Sequence, residues 1–318
     1  MTVPKPDSAT MHSEASARPS ISPERGADTR CEKFEALPPR LRCGDRLEDL
    51  RIDAEISQGA TATVYRAHPT TRKGVVAIKV LSPHLALVPS AVTRFKAESV
   101  FARRLSHPGV IKVFEDGVHA GHHYYSMQLQ DDKTALALRK LGEADTRENF
   151  FGIVAGLFAN VARGVQALHE TGILHRDIKP ANLLLSKKGQ LVLCDFGSAL
   201  DQLHRDPVLE RCLWGTVRYM SPDQLGIDAN PYDPRLDVYG LGLSLYEVCT
   251  GECPVPSGQE EEIVRWKNTR RLPPARSLNH RIPLRLERVL ERATASDPDF
   301  RYDSMSRFGK ELERVALH

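Results

Sequence analysis

His175-Arg176-Asp177-Ile178-Lys179-Pro180-Ala181-Asn182 is the stretch that decides how this chain is read. It places three different chemistries close together. Asp177 can accept or orient a hydroxyl proton, Lys179 can stabilise charge on a transferring phosphoryl group, and Asn182 offers a neutral oxygen suited to Mg²⁺. The run lies between an apolar helical repeat that ends near His169 and two short strands, Leu183-Leu184-Leu185 and Gln190-Leu191-Val192-Leu193. Asp195-Phe196-Gly197 follows the second strand: a carboxylate at a strand end before a flexible glycine, and a second place for a divalent cation.

Towards the amino terminus, Gly74–Leu81 is β-branched and apolar, which predicts a strand. Lys79 falls on the same strand face as Val75 and Ala77. A lysine among inward-facing residues needs a counter-charge or an anion; the alternative is a stem that snorkels out at the strand end. From Ser90 to Leu105 the spacing predicts a helix with the apolar stripe Val92, Phe95, Phe101, Ala102 and Leu105, and Glu98 falls within it. An inward-facing acid is costly unless paired, so Lys79 and Glu98 are expected to form one ion pair.

Further strands are predicted at Leu50–Ile56, Ala62–Ala67, Ile111–Phe114 and Tyr124–Met127. Beyond them, Phe150, Val154, Leu157, Val161, Val165 and Leu168 recur at helical spacing. Asp237–Val248 is apolar on nearly every side and reads as a helix buried within the domain. Strands first and helices afterwards imply an α+β fold with two lobes.

The 318 residues carry a net charge of +3, which gives no broad basic field, so a nucleic-acid partner is not expected. Six cysteines form no CxxC pair, which favours free thiols of a reducing cytoplasm over a zinc site. No stretch approaches the ~20 apolar residues of a membrane span, and the amino terminus lacks an apolar signal core. The expected location is cytoplasmic. Residues 1–44, rich in Ser, Pro, Ala and Arg without an apolar period, read as a disordered tail, with the folded domain at 45–318. The pattern sets no oligomeric state.

Taken in order, Val76-Ala77-Ile78-Lys79, Glu98, His175–Asn182 and Asp195-Phe196-Gly197 resemble the eukaryotic-like serine/threonine protein kinases, particularly their bacterial branch, from about residue 46 to the end. The resemblance implies a small strand-rich N-lobe with one main helix at about 45–127, a hinge at 128–130 and a larger helical C-lobe at about 131–318. It implies transfer of the ATP γ-phosphoryl group, with Mg²⁺ or Mn²⁺, to Ser/Thr hydroxyls of a protein substrate. Lys79 would contact the α/β-phosphates and Glu98 would hold it. Asp177 would be catalytic base or hydroxyl orienter, and Asn182 and Asp195 the metal ligands. Thr216 would lie beside Asp177, and the segment Gly215-Thr216…Tyr219-Met220-Ser221-Pro222, with Lys179, favours serine/threonine over tyrosine. Ile56, Val64 and Ala77 resemble the residues above adenine, Leu184 the one below and Met127 the gatekeeper; the backbone of Gln128 and Gln130 would bond adenine. Asp237 resembles the acid that supports the catalytic-loop backbone. Arg301 would pair with Asp223, which stands where the family has Glu.

The chain also departs from that pattern. Its glycine loop, Ser57-Gln58-Gly59-Ala60-Thr61-Ala62-Thr63-Val64, keeps only Gly59, with Ser57 and Ala62 at glycine positions, so a weaker phosphate clamp is expected. That loss favours the alternative of a pseudokinase scaffold, which the retained Lys79, Glu98, Asp177, Asn182 and Asp195 oppose. A small-molecule kinase on the same fold is opposed by the Gly-Thr…Ser-Pro-Asp segment. From Ala199 to Trp214 there is no Ser, Thr or Tyr, and Cys212 stands near the usual phosphosite. A carboxylate, Asp201, Asp206 or Glu210, is therefore expected to replace the phosphate that Arg176 would meet.

Overall fold

Alternation of side chains along six strands builds the first lobe. The computed structural model describes residues 37–71, 73–130, 133–139, 149–186, 188–205, 215–226 and 229–317. Strands β1 (Arg46–Leu47), β2 (Leu50–Gln58), β3 (Ala62–Pro69), β4 (Val76–Leu81), β5 (Val113–His119) and β6 (His122–Gln128) form one sheet in the order β1-β2-β3-β4-β6-β5. Each neighbouring pair is antiparallel. On β4, Val76, Ile78 and Val80 join Leu47, Leu50, Ile52, Tyr65, Ala67 and Tyr124 in an apolar layer on one face. The period of two turns Ala77 and Lys79 to the other face. Register then sets Ala77 opposite Met127 and Lys79 opposite Tyr125 on one side and Val64 on the other. Helix α1 (Pro89–Arg103) buries Phe95, Glu98, Phe101 and Ala102.

Three expectations shift. Val75 lies outside the strand and is 40% exposed, so β4 starts two residues later than the run from Gly74 suggests. The strand expected at 111–114 forms at Val113–His119 instead, because the Ile111 N–H is spent on the Leu193 carbonyl (2.8 Å). That bond ties the two lobes together. The folded domain also begins ahead of residue 45: Leu41 is buried in the outer layer of the sheet, Arg40 donates to Glu55 and Gln58, and the Gly44 N–H donates to Ile52 O (3.0 Å).

The second lobe is built around α2 (Phe150–Glu170) and α3 (Arg235–Thr250). Every residue of α3 from Leu236 to Cys249 is buried, and the helix stops on Gly251 in the left-handed region (φ +90°). Helices α4 (Glu260–Thr269), α5 (Ala275–Leu278), α6 (Leu284–Ala293) and α7 (Met305–Ala316) follow, with α7 lying along α2. Among the described residues α2 is the one helix long and apolar enough to cross a membrane, but 61% of its apolar window is buried in the protein, which makes it the core helix of this lobe.

The run His175–Asn182 occupies the loop between β7 (Ile173–Leu174) and β8 (Leu183–Leu185), and β8 pairs with β9 (Leu191–Leu193). Strand β10 (Leu200–Asp201) pairs back onto β7. Cys43, Cys194, Cys249 and Cys253 are free.

Candidate active site

Lys79 projects from β4 into the cleft, where its ammonium meets Glu98 of α1 and Asp195 Oδ1 (3.0 Å). Glu98 also accepts from the Tyr125 hydroxyl (2.8 Å), so the acid is held by the strand next to the lysine's own. Burial alone would lower the Lys79 ammonium; Glu98, Tyr125 and Asp195 reverse this and hold it well above its ordinary value. Lys79 in turn draws the Asp195 carboxyl far below the usual carboxylate range against the effect of burial. The expected pair therefore exists and includes Asp195 as a third member.

A second cluster forms around Asp177. Its Oδ2 accepts from Lys179 Nζ (2.7 Å) and Asn182 Nδ2 (3.2 Å), and its Oδ1 accepts from the Thr216 N–H (2.9 Å). Lys179 Nζ also donates to the Thr216 hydroxyl (2.6 Å). Asn182 Nδ2 is further committed to Asp177 O (2.9 Å), which leaves its amide oxygen for another partner. Gly215 makes this approach possible: its φ is +127°, and an added Cβ would come within 2.9 Å of Met220 Cε and 3.3 Å of Asp177 Oδ1.

The loop that carries Asp177 is held from below. The buried Asp237 carboxylate accepts from the backbone N–H of His175 (2.9 Å) and Arg176 (2.7 Å) and from His169 Nε2 (2.8 Å). Arg176 (φ +65°) sits in the left-handed region, a strain that the bond from its N–H to Asp237 helps maintain, and Asp195 (φ +66°) sits there as well. The His175 ring packs edge-on against Phe196 with centroids 5.0 Å apart, and its Nε2 lies 3.2 Å from Cys194 O. Arg301 pairs with Asp223 as expected and also donates to Ala295 O (2.7 Å) and Ser296 O (2.9 Å), so the shorter acid still reaches its partner.

Of the nucleotide-pocket candidates, Val64 faces Lys79, Met127 faces Ala77, and the Gln128 N–H donates to Lys112 O (2.8 Å). A β-bulge leaves Ile56 without a partner on β3, 39% exposed, while Ser57 faces Val64. Gly59 closes its loop by donating to Ala62 O (2.9 Å), and Ala62 is buried opposite Leu81. Leu184 bridges to Thr134, and Gln130 lies just past β6 with its amide nitrogen buried.

One expectation is corrected. Asp201 does not face Arg176. It pairs with Arg104 (2.8 Å) and His204 (3.0 Å). Asp206, Glu210 and Cys212 lie outside the described residues. Nε and Nη1 of Arg176 are buried with no hydrogen-bond partner among the described residues, and burial lowers its guanidinium below the ordinary value.

Sequence reasoning missed Lys267. Only 3% exposed, its ammonium donates to Met220 O, in the segment that carries Thr216, and lies 5.3 Å from the Tyr239 ring centroid. The available signal was its place four residues after Ile263 on an otherwise apolar face. Burial, helped by Arg301, pushes Lys267 down to about 7. The unfolded chain therefore binds more protons than the folded one between about 7 and the ordinary 10.5, and wild-type stability rises with pH across that window. Lys267→Met removes this rise. Urea unfolding should show the variant's advantage over wild type shrinking by on the order of 3 kcal/mol between about pH 6 and about pH 10. A pH-independent difference would show that Lys267 titrates normally.

A model of the protein kinase domain matches residues 50–306. The chain is 31% identical over 265 residues to the serine/threonine-protein kinase PknL of Mycobacterium tuberculosis, covering 83% of this chain and 65% of that one. It is 32% identical over 283 residues to the probable serine/threonine-protein kinase SCO3848 of Streptomyces coelicolor, covering 86% of this chain and 40% of that one. The chain thus spans about two thirds or less of the length of these relatives. Among solved structures, the kinase domain of Mycobacterium tuberculosis PknI superposes with a TM-score of 0.65 at 26% identity, over 87% of this chain and 100% of that one. The chain belongs to the protein kinase family, in its bacterial eukaryotic-like serine/threonine branch.

Proposed function

We propose that this domain transfers the γ-phosphoryl group of ATP to serine or threonine hydroxyls of a protein substrate, with Mg²⁺ as the metal. The observation that carries this reading is the bonding of Asp177, Lys179 and Thr216 to one another across the catalytic loop and the acceptor segment. In this reading Asp177, fixed by three donors, orients the acceptor hydroxyl and takes its proton. Lys179 lies where charge passes between acceptor and phosphoryl group. Lys79, positioned by Glu98, holds the nucleotide phosphates.

The residues fit a hard divalent cation. The free amide oxygen of Asn182 and the carboxylate of Asp195, whose side chain is 43% exposed, are an oxygen donor set. A divalent cation held by these two side chains would supply positive charge to offset that of the nucleotide phosphates. Ile56, Ser57, Gly59, Ala62, Val64, Ala77, Met127, Leu184 and the backbone of Gln128 and Gln130 form the proposed nucleotide pocket.

The test is transfer of labelled phosphate from ATP to a panel of proteins, with sites mapped by mass spectrometry. Phosphoserine and phosphothreonine are expected, abolished by a chelator and restored by Mg²⁺, with Mn²⁺ run in parallel. Nucleotide binding without transfer to any acceptor would establish a scaffold instead, and transfer to sugars or aminoglycosides alone would establish a small-molecule kinase.

A further inference from the structure

Helix α1 is fastened to the segment after Asp195 at two points, and these bracket Glu98. Arg94, one turn before Glu98, donates to the Gly197 carbonyl. Arg104, immediately after the helix, donates to Asp201 Oδ2 (2.8 Å). Asp201 is the last residue of β10 and is 5% exposed. The same oxygen receives His204 Nδ1 (3.0 Å), while Oδ1 accepts the backbone N–H of Leu203 (2.8 Å) and His204 (3.2 Å). A buried carboxylate with this many donors is fully compensated, and removing its cation leaves an uncompensated charge. Arg104 is itself steadied over the Phe101 ring, 5.7 Å from its centroid. Because β10 is paired to β7, the strand that leads into the catalytic run, Asp201 joins the Glu98 helix to the loop that presents Asp177.

Kinases commonly order this segment by adding a phosphate that arginines can grip. Here the stretch Ala199–Trp214 has no hydroxyl to receive one. We propose that the Arg104–Asp201 pair is a built-in latch that holds α1, and with it Glu98, in the position that pairs with Lys79, so that the active arrangement needs no phosphate on that stretch. The proposal rests on the phosphotransfer reading. It makes Arg104 and Asp201 positioning residues that act through Glu98.

The experiment compares wild type, Asp201→Asn, Arg104→Met, Arg104→Lys and the Asp201→Asn/Arg104→Met double variant, all treated with a protein phosphatase. Asp201→Asn keeps the shape and the acceptor for Leu203 and His204 but loses the charge. Treated wild type is expected to remain fully active. Each charge-removing single variant should lower kcat roughly tenfold. The double variant should be no worse than the poorer single one, because one interaction has been removed twice. Arg104→Lys should recover most of the activity, and KM for the protein acceptor should stay unchanged throughout. Loss of wild-type activity on dephosphorylation, additive losses in the double variant, or full kcat in Asp201→Asn would overturn the latch. If wild type transfers no phosphate at all, the phosphotransfer reading fails separately, and amide exchange of α1 decides: faster exchange in Asp201→Asn supports the latch, and unchanged exchange overturns it.

Discussion

Asp177→Asn is expected to lower kcat by about 10³-fold while leaving nucleotide affinity within a few-fold of wild type. The asymmetry follows from the geometry. Asp177 touches none of the three charged groups at the proposed phosphate site, where Lys79 bonds both Glu98 and Asp195. Of its own partners, Lys179 and Thr216 belong to the acceptor side, and Asn182 reaches it only through its amide nitrogen, leaving the oxygen for the proposed metal. An amide in place of the Asp177 carboxylate keeps one oxygen acceptor but can no longer take a proton. Its NH₂ group would also point at the Lys179 ammonium or the Thr216 N–H, both donors. Steady-state kinetics and nucleotide titration on the same preparation check the split. Equal losses in kcat and nucleotide affinity would mean that Asp177 belongs to the nucleotide site, and unchanged kcat would remove it from the chemistry altogether.

How much of this was readable beforehand depended on whether a residue broke a local period. Lys79 and Glu98 each put a charge on an apolar face, one at period two and the other at helical spacing, so each was visible alone and the pair could be inferred. Asp237 is legible only through the family resemblance, at the head of a run of apolar residues. Arg104 and Asp201 broke nothing: one follows the helix and the other closes a two-residue strand, and only the tertiary fold brings them together. The expectation that an acid after Ala199 meets Arg176 rests on the family resemblance, and β10 pairing with β7 sends Asp201 to Arg104 instead. The domain start was also misplaced. Leu41 is one apolar residue in a polar stretch, too little to produce a period, yet it is enough to cover the outer layer of the sheet. The offset of β5 came from a backbone bond between lobes, Ile111 to Leu193, which no side-chain pattern encodes.

The largest loss of stability from a single substitution is expected at Asp237. Its carboxylate is 1% exposed and accepts three hydrogen bonds, from the N–H groups of His175 and Arg176 and from His169 Nε2. Burial pushes its carboxyl up, but the His169 bond, the charges of His169 and His175 and the His175 N–H together bring it below the ordinary value. Asp237→Ala strands these donors in a site with no room for bulk water, a cost of about 3 kcal/mol. It also releases the backbone at Arg176, whose left-handed conformation is held by that acceptor. The chain can then relax towards a common conformation and carry Asp177 away from Thr216, so kcat should fall as well as stability. The sign with pH follows from the lowered carboxyl. The unfolded chain takes up its proton first as pH drops, so the stabilisation is complete above about pH 4, the ordinary aspartate value, and is lost as pH falls through the folded value. The difference in unfolding free energy between wild type and Asp237→Ala should therefore be constant from about pH 5 upward and narrow below about pH 4. Urea unfolding across that range, with kcat measured at neutral pH, tests both halves. A stable variant with low kcat would make Asp237 purely a holder of the Arg176 strain. An unstable variant with normal kcat would mean that the catalytic loop keeps its conformation without this support.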